Sequence, residues 1–358
     1  IRASDIRPRS KEWLWEGHLL RGAQELLTGV PGLGKSQVQI HFVACLTAGL
    51  AWPNGAKAYR PMSVLMLTAE DTLDQEVIPR LIAAKANLEK VHILKWIKSD
   101  GKNRQFLLNE DLDQLEKIAA EIGDIGMLTV DPITAYMGGK VDSHKATEVR
   151  SQLGPLKDFA EHTGIAVSSI THPPKSGGQK AIDQFIGSQA FIAAGRIGHI
   201  CVEEFEEDED GERKSTGRVL FANPKNNAHT KMETLAFRIE QVFVENDHVT
   251  NTPIESPRVT WDGEVVDITA DEAVATSNGM VQPKKRLKAQ EELQTLICEI
   301  LAEGPKPENQ VKAAALDAGY TINQLKTAKK KLGVRSEKKA DFWQWEPIFT
   351  PQPSTTKV

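Results

Sequence analysis

From about residue 20 to residue 245, short apolar runs alternate with segments of helical period. The β-type runs are Glu25–Thr28, Ser63–Thr68, Val91–Lys95, Met127–Val130, Ile165–Ile170 and Gly198–Val202. Between them, Asp111–Ile122 repeats Leu112, Leu115, Ile118, Ala119 and Ile122 at helical spacing, with Asn109 or Asp111 as its cap. Gln37 to Ala48 is also compatible with a helix. Near-continuous apolar strands alternating with helices predict an α/β fold, a mostly parallel twisted sheet with helices on both faces.

The pattern changes after Ile200. His199–Phe205 and Arg218–Ala222 flank the acidic, Gly-containing stretch Glu206–Gly217, which predicts an antiparallel hairpin with a solvated acidic tip rather than a binding site. Residues 246–290 are polar, carry Pro253, Pro257 and Pro283 and the basic run Lys284-Lys285-Arg286, and read as an extended segment plus linker. Amphipathic helices follow at Glu291–Leu301 and at Glu308–Ala318, the second closed by Gly319. Thr321 and Gln324 make a capping box that opens a third, Ile322–Leu332. Val334–Glu346, with Phe342, Trp343 and Trp345, reads as a two-stranded wing. Three short helices and a β-ribbon form a winged-helix pattern. The expected organisation is an ATPase-type domain over 1–248, an extended linker over 249–289 and a winged-helix domain over 290–350.

Composition narrows the partners. A length of 358 residues accommodates about two domains. The net charge of −5 excludes a chain-wide polycation, but charge is uneven: residues 203–212 hold eight carboxylates, and 320–339 hold seven Lys or Arg against one acid. Cys45, Cys201 and Cys298 lie far apart with no C-x-x-C pair, which fits a reducing cytoplasm and argues against zinc. No apolar run reaches a membrane span, and no membrane partner is expected. Because the chain opens on Ile1 rather than Met, it reads as a piece of a longer protein.

The chemistry begins at Gly29-Val30-Pro31-Gly32-Leu33-Gly34-Lys35-Ser36, a G-x-x-x-x-G-K-S pattern after an apolar strand and before a helix. Its glycines let successive backbone N–H groups converge on phosphate oxygens at a helix N-terminus. Lys35 then serves the β- and γ-phosphates, and the Ser36 hydroxyl serves Mg²⁺. Later strand ends add the rest. Ser63–Thr68 runs into Ala69-Glu70-Asp71, placing Glu70 to polarise an attacking water; Asp71 is an acidic cap. Met127–Val130 ends in Asp131, the carboxylate on the Mg²⁺ side. Ala166–Thr171 ends in His172, either a sensor of the γ-phosphate or a plain turn histidine. The loop Pro173–Lys180, carrying Lys175 and Lys180, and the segment Met137–Lys145 are candidates to face DNA or are surface loops. Arg196 and Lys225 read as cations donated to a neighbouring subunit's nucleotide or as local ion-pair and capping groups.

Taken in order, Trp13-Leu14-Trp15, the P-loop, Ala-Glu-Asp, Val-Asp-Pro, Thr-His-Pro, Gly-Ser-x-Ala with Arg196, and Lys225-Asn226-Asn227 resemble the RepA-type hexameric replicative helicases. These are RecA-like ATPases of plasmids, phages and integrated elements, often fused to a primase. The resemblance covers about residues 10–245. It implies ATP and Mg²⁺ as cofactors, held by Gly29, Pro31, Gly32, Gly34, Lys35, Ser36 and Gln37, with Arg80 near the adenine. It implies Glu70 as base, Ser36 and Asp131 on Mg²⁺, His172 as sensor, and Arg196 and Lys225 acting in trans. Single-stranded and forked DNA, a homo-hexameric ring and a primase domain or protein are the implied partners. Pro173-Pro174 departs from the family, where a second His or a polar residue is common, so the coupling loop differs here. The C-terminal unit resembles the winged-helix tails of primase–helicase fusions, with Lys329, Lys330, Lys331 and Arg335 as DNA contacts or as a solvated face beside a protein dock. The competing reading is an ATP-gated DNA-binding or regulatory protein that does not unwind. A small-molecule kinase lacks an Arg-rich lid and leaves Glu70 and His172 without work.

Overall fold

The structure, a computed structural model, describes residues 2–58, 60–99, 102–138, 146–174, 180–185, 189–207, 212–280, 283–302, 304–339 and 343–346. By their contacts they divide into two compact units, Ile1–Glu204 with Ser215–Asn278, and Phe205–Lys214 with Gly279–Val358. No helix among the described residues is long and apolar enough to cross a membrane.

The first unit is built on a large mixed sheet. The chain enters through a short ribbon, β1 (Trp13–Trp15) and β2 (Leu19–Leu20), and then lays down β3 (Gln24–Thr28), α1 (Lys35–Ala48), β4 (Ser63–Thr68) and α2 (Ile78–Ala83). A π-helical turn, Leu73–Val77, leads into α2. β5 (Val91–Ile93) is followed by a separate hairpin, β6 (Ile97–Ser99) and β7 (Lys102–Arg104), and then by α3 (Leu112–Ile122), β8 (Ile125–Asp131), α4 (Ala146–Thr163), β9 (Ala166–Ile170) and α5 (Gln189–Ala194). Four long strands remain: β10 (Ile197–Glu207), β11 (Arg213–Asn226), β12 (Thr234–Asn246) and β13 (Pro253–Val266), closed by α6 (Ala270–Ser277). Sheet order is β13-β12-β11-β10-β3-β9-β8-β4-β5. The contacts from β10 to β5 are parallel, and β11-β12-β13 are antiparallel. The expectation of an α/β fold on a mostly parallel sheet therefore holds.

Strand alternation explains why both faces are covered. On β4, Val64 and Met66 join one apolar cluster with Trp15, Phe42, Trp52 and Phe221. Leu65 and Leu67 join the opposite cluster with Leu115, Leu128, Leu153 and Phe159. Full burial of each such side chain contributes about 1.5–3 kcal/mol, so a strand of this kind is stable only between two helical layers. α1 sits inside one layer and is buried almost all round, from Gln37 to Thr47. Gly49 ends it in the left-handed region, with its N–H on Cys45 O.

Residues 249–289, expected as extended segment and linker, instead hold most of a fourteen-residue strand and a capped helix. β13 pairs along β12 from Asn246↔Pro253 to Thr234↔Val266. Its sequence hides it because few of its side chains are buried, Ser256 and Val259 among them, and because it contains Pro253 and Pro257. As the outermost strand, β13 tolerates prolines that a central strand would not. α6 opens on a capping box formed by Thr269 and Glu272.

The second unit has α7 (Pro283–Ala302), β14 (Lys306–Pro307), α8 (Glu308–Asp317), α9 (Ile322–Lys331), β15 (Arg335–Lys338) and β16 (Trp343–Glu346). The capping box of Thr321 and Gln324 is present. The helices enclose Leu293, Ile297, Leu301, Val311, Leu325, Val334 and Trp345. β14 adds a third strand to the expected ribbon, in the order β14-β16-β15.

Candidate nucleotide site

β3 is where the parallel sheet changes direction: its neighbours are β9 and β10, the last two parallel strands of the chain. The crevice at the C-terminal end of such a strand is where α/β sheets receive ligands. The chain leaves β3 at Thr28 and turns through Gly29–Gly34 into α1. Gly34 occupies the position before the helix at φ +75° and Gly32 lies at φ +86°, conformations that favour glycine. A Cβ on Gly29 would stand 2.5 Å from the Cys201 carbonyl of β10, so the loop runs against that strand. A Cβ on Gly32 would meet nothing within 4 Å, which leaves that part of the loop open to an incoming ligand.

Lys35 is buried, and its ammonium donates to Val30 O at 3.0 Å, folded back over its own loop. Burial holds its pKa below the ordinary lysine range; the nearby Cys201, Asp131 and Glu70 oppose that. Parallel register then brings the acids alongside. Thr68 of β4 pairs with Asp131 of β8, and Ala69 N–H donates to Asp131 O at 3.1 Å, so Glu70 and Asp131 lie at one sheet edge. Burial raises the Asp131 carboxyl to about 6; the neighbouring Asp71 and Glu70 add to the rise, and a hydrogen bond from Ser36 and the charge of Lys35 counter it. A hydroxyl on a buried carboxylate, with two further acids close by, is a donor set suited to a hard divalent cation.

His172 follows β9 at the same edge, where Thr171 N–H donates to Leu27 O at 2.9 Å. Its Nδ1 is buried without a hydrogen-bond partner among the described residues, and its pKa is lowered, first by burial and then by Lys35. Arg80 bonds to Asp71, reaches Glu76 at 3.6 Å and donates from Nε to Gln37 at 2.9 Å. Gln37 in turn donates to Pro257 O of β13 at 3.0 Å. Ser36, Thr68, Asp71, Arg80 and Asp131 line a cleft of about 300 Å³. These residues fit a nucleotide and Mg²⁺.

Residues 1–178 match the AAA domain family. The first half of the chain thus carries a P-loop ATPase domain. No curated protein sequence matches the chain. Among solved structures it is similar to a phage-type-titled ATPase domain only in outline, at 11% identity and a TM-score of 0.46, over 61% of this chain and 81% of that one.

The other sequence candidates lie elsewhere. Arg196 precedes β10 at the opposite, N-terminal edge of the sheet: its N–H donates to Gln24 O and its carbonyl accepts from Asn227, while the side chain is exposed. Four strand steps separate that edge from Thr28, about 13 Å, so Arg196 does not share a pocket with Lys35. Lys225 stands beside it; its ammonium donates to Gly195 O at 2.7 Å and to Ile192 O, closing the end of α5, and burial lowers its pKa. Lys180 is exposed in the segment after β9. Lys175 and most of Met137–Lys145 lie outside the described residues. In the second unit Lys330, Lys331 and Arg335 are exposed, and Lys329 sits 4.4 Å from the Trp345 ring centre with its ammonium on Ser336 Oγ.

One feature of the site is not legible in the sequence. Beneath the P-loop, Glu25 of β3 accepts from Ser168 Oγ at 2.7 Å and meets His199 Nδ1 at 2.8 Å; His199 Nε2 meets His18 Nδ1 at 3.0 Å. Gln39 of α1 extends the chain to Ser168, donating to its carbonyl at 2.9 Å. Burial pushes Glu25 up to about 8 and His199 down to about 3, so both rest neutral near pH 7. The available signal is a glutamate and a histidine inside runs otherwise apolar.

Proposed function

We propose that this P-loop ATPase is the motor part of a RecA-like, RepA-type DNA helicase that hydrolyses ATP between subunits of a homo-hexameric ring and moves along single-stranded DNA to open forked duplex. The observation that carries the reading is the split between sheet edges. Lys35, Ser36, Glu70, Asp131 and His172 gather at one edge, whereas Arg196 and Lys225 lie at the other. A cation so placed acts on nucleotide only when a second subunit presents its opposite edge, which is the geometry of an arginine finger in trans.

In this reading the N–H groups of Gly29–Ser36 and the Lys35 ammonium hold the phosphates, Lys35 exchanging Val30 O for phosphate oxygen. Gln37 and Arg80 border the nucleotide beyond the phosphates. Ser36 and Asp131 hold Mg²⁺, which when bound neutralises charge on the phosphate oxygens. Glu70, exposed at the strand end, takes the proton of the attacking water, and His172 Nδ1 is a ready donor or acceptor toward the γ-phosphate side. Lys175 and Lys180 face DNA in the ring. Residues 290–350 are a winged helix whose Lys329, Lys330, Lys331 and Arg335 approach DNA phosphates, and a primase domain or protein is the further replication partner.

The test is ATP hydrolysis by the chain with and without single-stranded DNA, with Lys35→Ala as blank and Glu70→Gln as a variant that binds but does not turn over. DNA-stimulated turnover lost in both variants supports the motor. Turnover indifferent to DNA, or normal in Glu70→Gln, overturns it.

A further inference from the structure

After β5 the chain keeps a bond to the main sheet, Leu94 N–H to Met66 O at 2.9 Å, and then leaves it. The β6–β7 hairpin that follows pairs Ile97↔Arg104, Lys98↔Asn103 and Ser99↔Lys102. Its root is held firmly. Ile97 is buried, as are Phe106 and Leu108 just beyond. Arg104 grips Asp111 through both nitrogens, at 2.6 and 2.7 Å, and Asp111 also accepts from Leu107 N–H at 2.8 Å.

Trp96 is the exception. It is 52% exposed although it adjoins this anchored root, and Lys95 beside it is exposed as well. Across the hairpin, Asn103 is exposed on the face opposite buried Ile97, as strand alternation requires. In sequence, residues 95–104 carry Lys95, Lys98, Lys102 and Arg104 against the single acid Asp100. The hairpin stands at the C-terminal edge of the sheet, four strands from β3, or roughly 19 Å from the P-loop. It is also braced against the candidate site: Gln105 Nε2 donates to Ala135 O at 3.1 Å and Leu108 N–H to Tyr136 O at 2.9 Å. Those carbonyls belong to the turn Ile133–Tyr136, which closely follows Asp131.

The geometry points to this hairpin as a contact for single-stranded nucleic acid, with Trp96 stacking on a base and Lys95 serving the adjoining phosphate. An outward tryptophan beside a lysine, in a segment rich in cations, is the pairing that sequence-tolerant single-strand binding uses. Protein interfaces favour aromatics but are depleted in lysine, so a second subunit is the poorer fit. The bonds to Ala135 and Tyr136 give the strand contact a short path to Asp131. This inference rests on the nucleic-acid reading above and adds a surface that reading does not contain.

The experiment is fluorescence anisotropy of a labelled oligothymidylate with the full chain, in the presence of a non-hydrolysable ATP analogue. Trp96→Ala is expected to weaken binding about tenfold, within the range that alanine substitution at a stacking site produces. Trp96→Phe should stay within about threefold of wild type, and Lys95→Glu should weaken binding and flatten its salt dependence. ATP turnover without DNA should be unchanged in all three. Wild-type binding that survives Trp96→Ala and Lys95→Glu overturns the hairpin contact while leaving the motor reading standing. A wild-type chain that binds no oligonucleotide overturns the nucleic-acid reading itself. A change in assembly size with unaltered DNA affinity assigns the hairpin to a subunit contact and also overturns the proposal.

Discussion

Glu25→Gln isolates the buried chain beneath the P-loop. In the wild-type protein the Glu25 carboxyl is buried and raised from 4.5 to about 8. An acid whose pKa is raised on folding contributes its full stability below the unfolded value and loses it as pH climbs toward the folded one. Each pKa unit corresponds to about 1.4 kcal/mol, so between pH 6 and pH 8 this group alone removes about 2 kcal/mol of stability. Its surroundings hold few compensating charges: His199 and His18 are kept neutral by burial, and the Cys201 thiol is pushed up to about 12. Glutamine has nearly the same shape and carries no proton to lose. It can donate to His199 Nδ1 and accept from Ser168 Oγ, so both hydrogen bonds have a partner. Urea unfolding of both proteins at pH 6, 7 and 8 reads the difference, since every other titrating group cancels between them. The variant should gain about 2 kcal/mol on wild type across that range. Parallel pH profiles would show that Glu25 is ionised throughout, paired with a charged His199, and would refute the neutral chain.

Gly34→Ala should cost about 1–2 kcal/mol, because the residue lies at φ +75° and its new Cβ would stand 2.5 Å from Ile239 Cδ1. Adding Ile239→Ala should return the steric part and leave the backbone part, measurable as two steps in thermal midpoint; full recovery would refute the backbone term. Arg196→Ala should leave stability and nucleotide binding intact, since its backbone makes the sheet-edge bonds and its side chain is exposed, and should abolish hydrolysis. Doping the variant into wild-type protein should then lower turnover more steeply than its mole fraction; a wild-type rate in the pure variant rules out the finger.

The parallel sheet is legible because each central strand is apolar on both faces, and β4 with its clean Ser63–Thr68 run is the plainest case. The capping box at Thr321 is equally open, being a local hydrogen-bond pattern with fixed spacing. β13 is not, because a largely wetted strand interrupted by two prolines has no strong period of its own and is fixed by pairing with β12. That β12–β13 pair matters to the site: Ile239 covers Gly34 and Pro257 O receives Gln37, so the least readable strands border the most readable motif.

The same contrast explains Glu25 and Arg196. A motif records which residue types stand near one another along the chain, and so the P-loop can be found without its supports. Glu25, His199 and His18 are separated by up to 181 positions and meet only because β10 lies beside β3. Arg196 is closer in space to Gln24 than to Gly29, a fact that follows from strand direction and from nothing in its own neighbourhood in sequence. Parallel pairing sends every strand's C-terminal end to one edge and every N-terminal end to the other. Chemistry written at strand ends therefore gathers in one subunit, whereas a cation written at a strand start is available only to another.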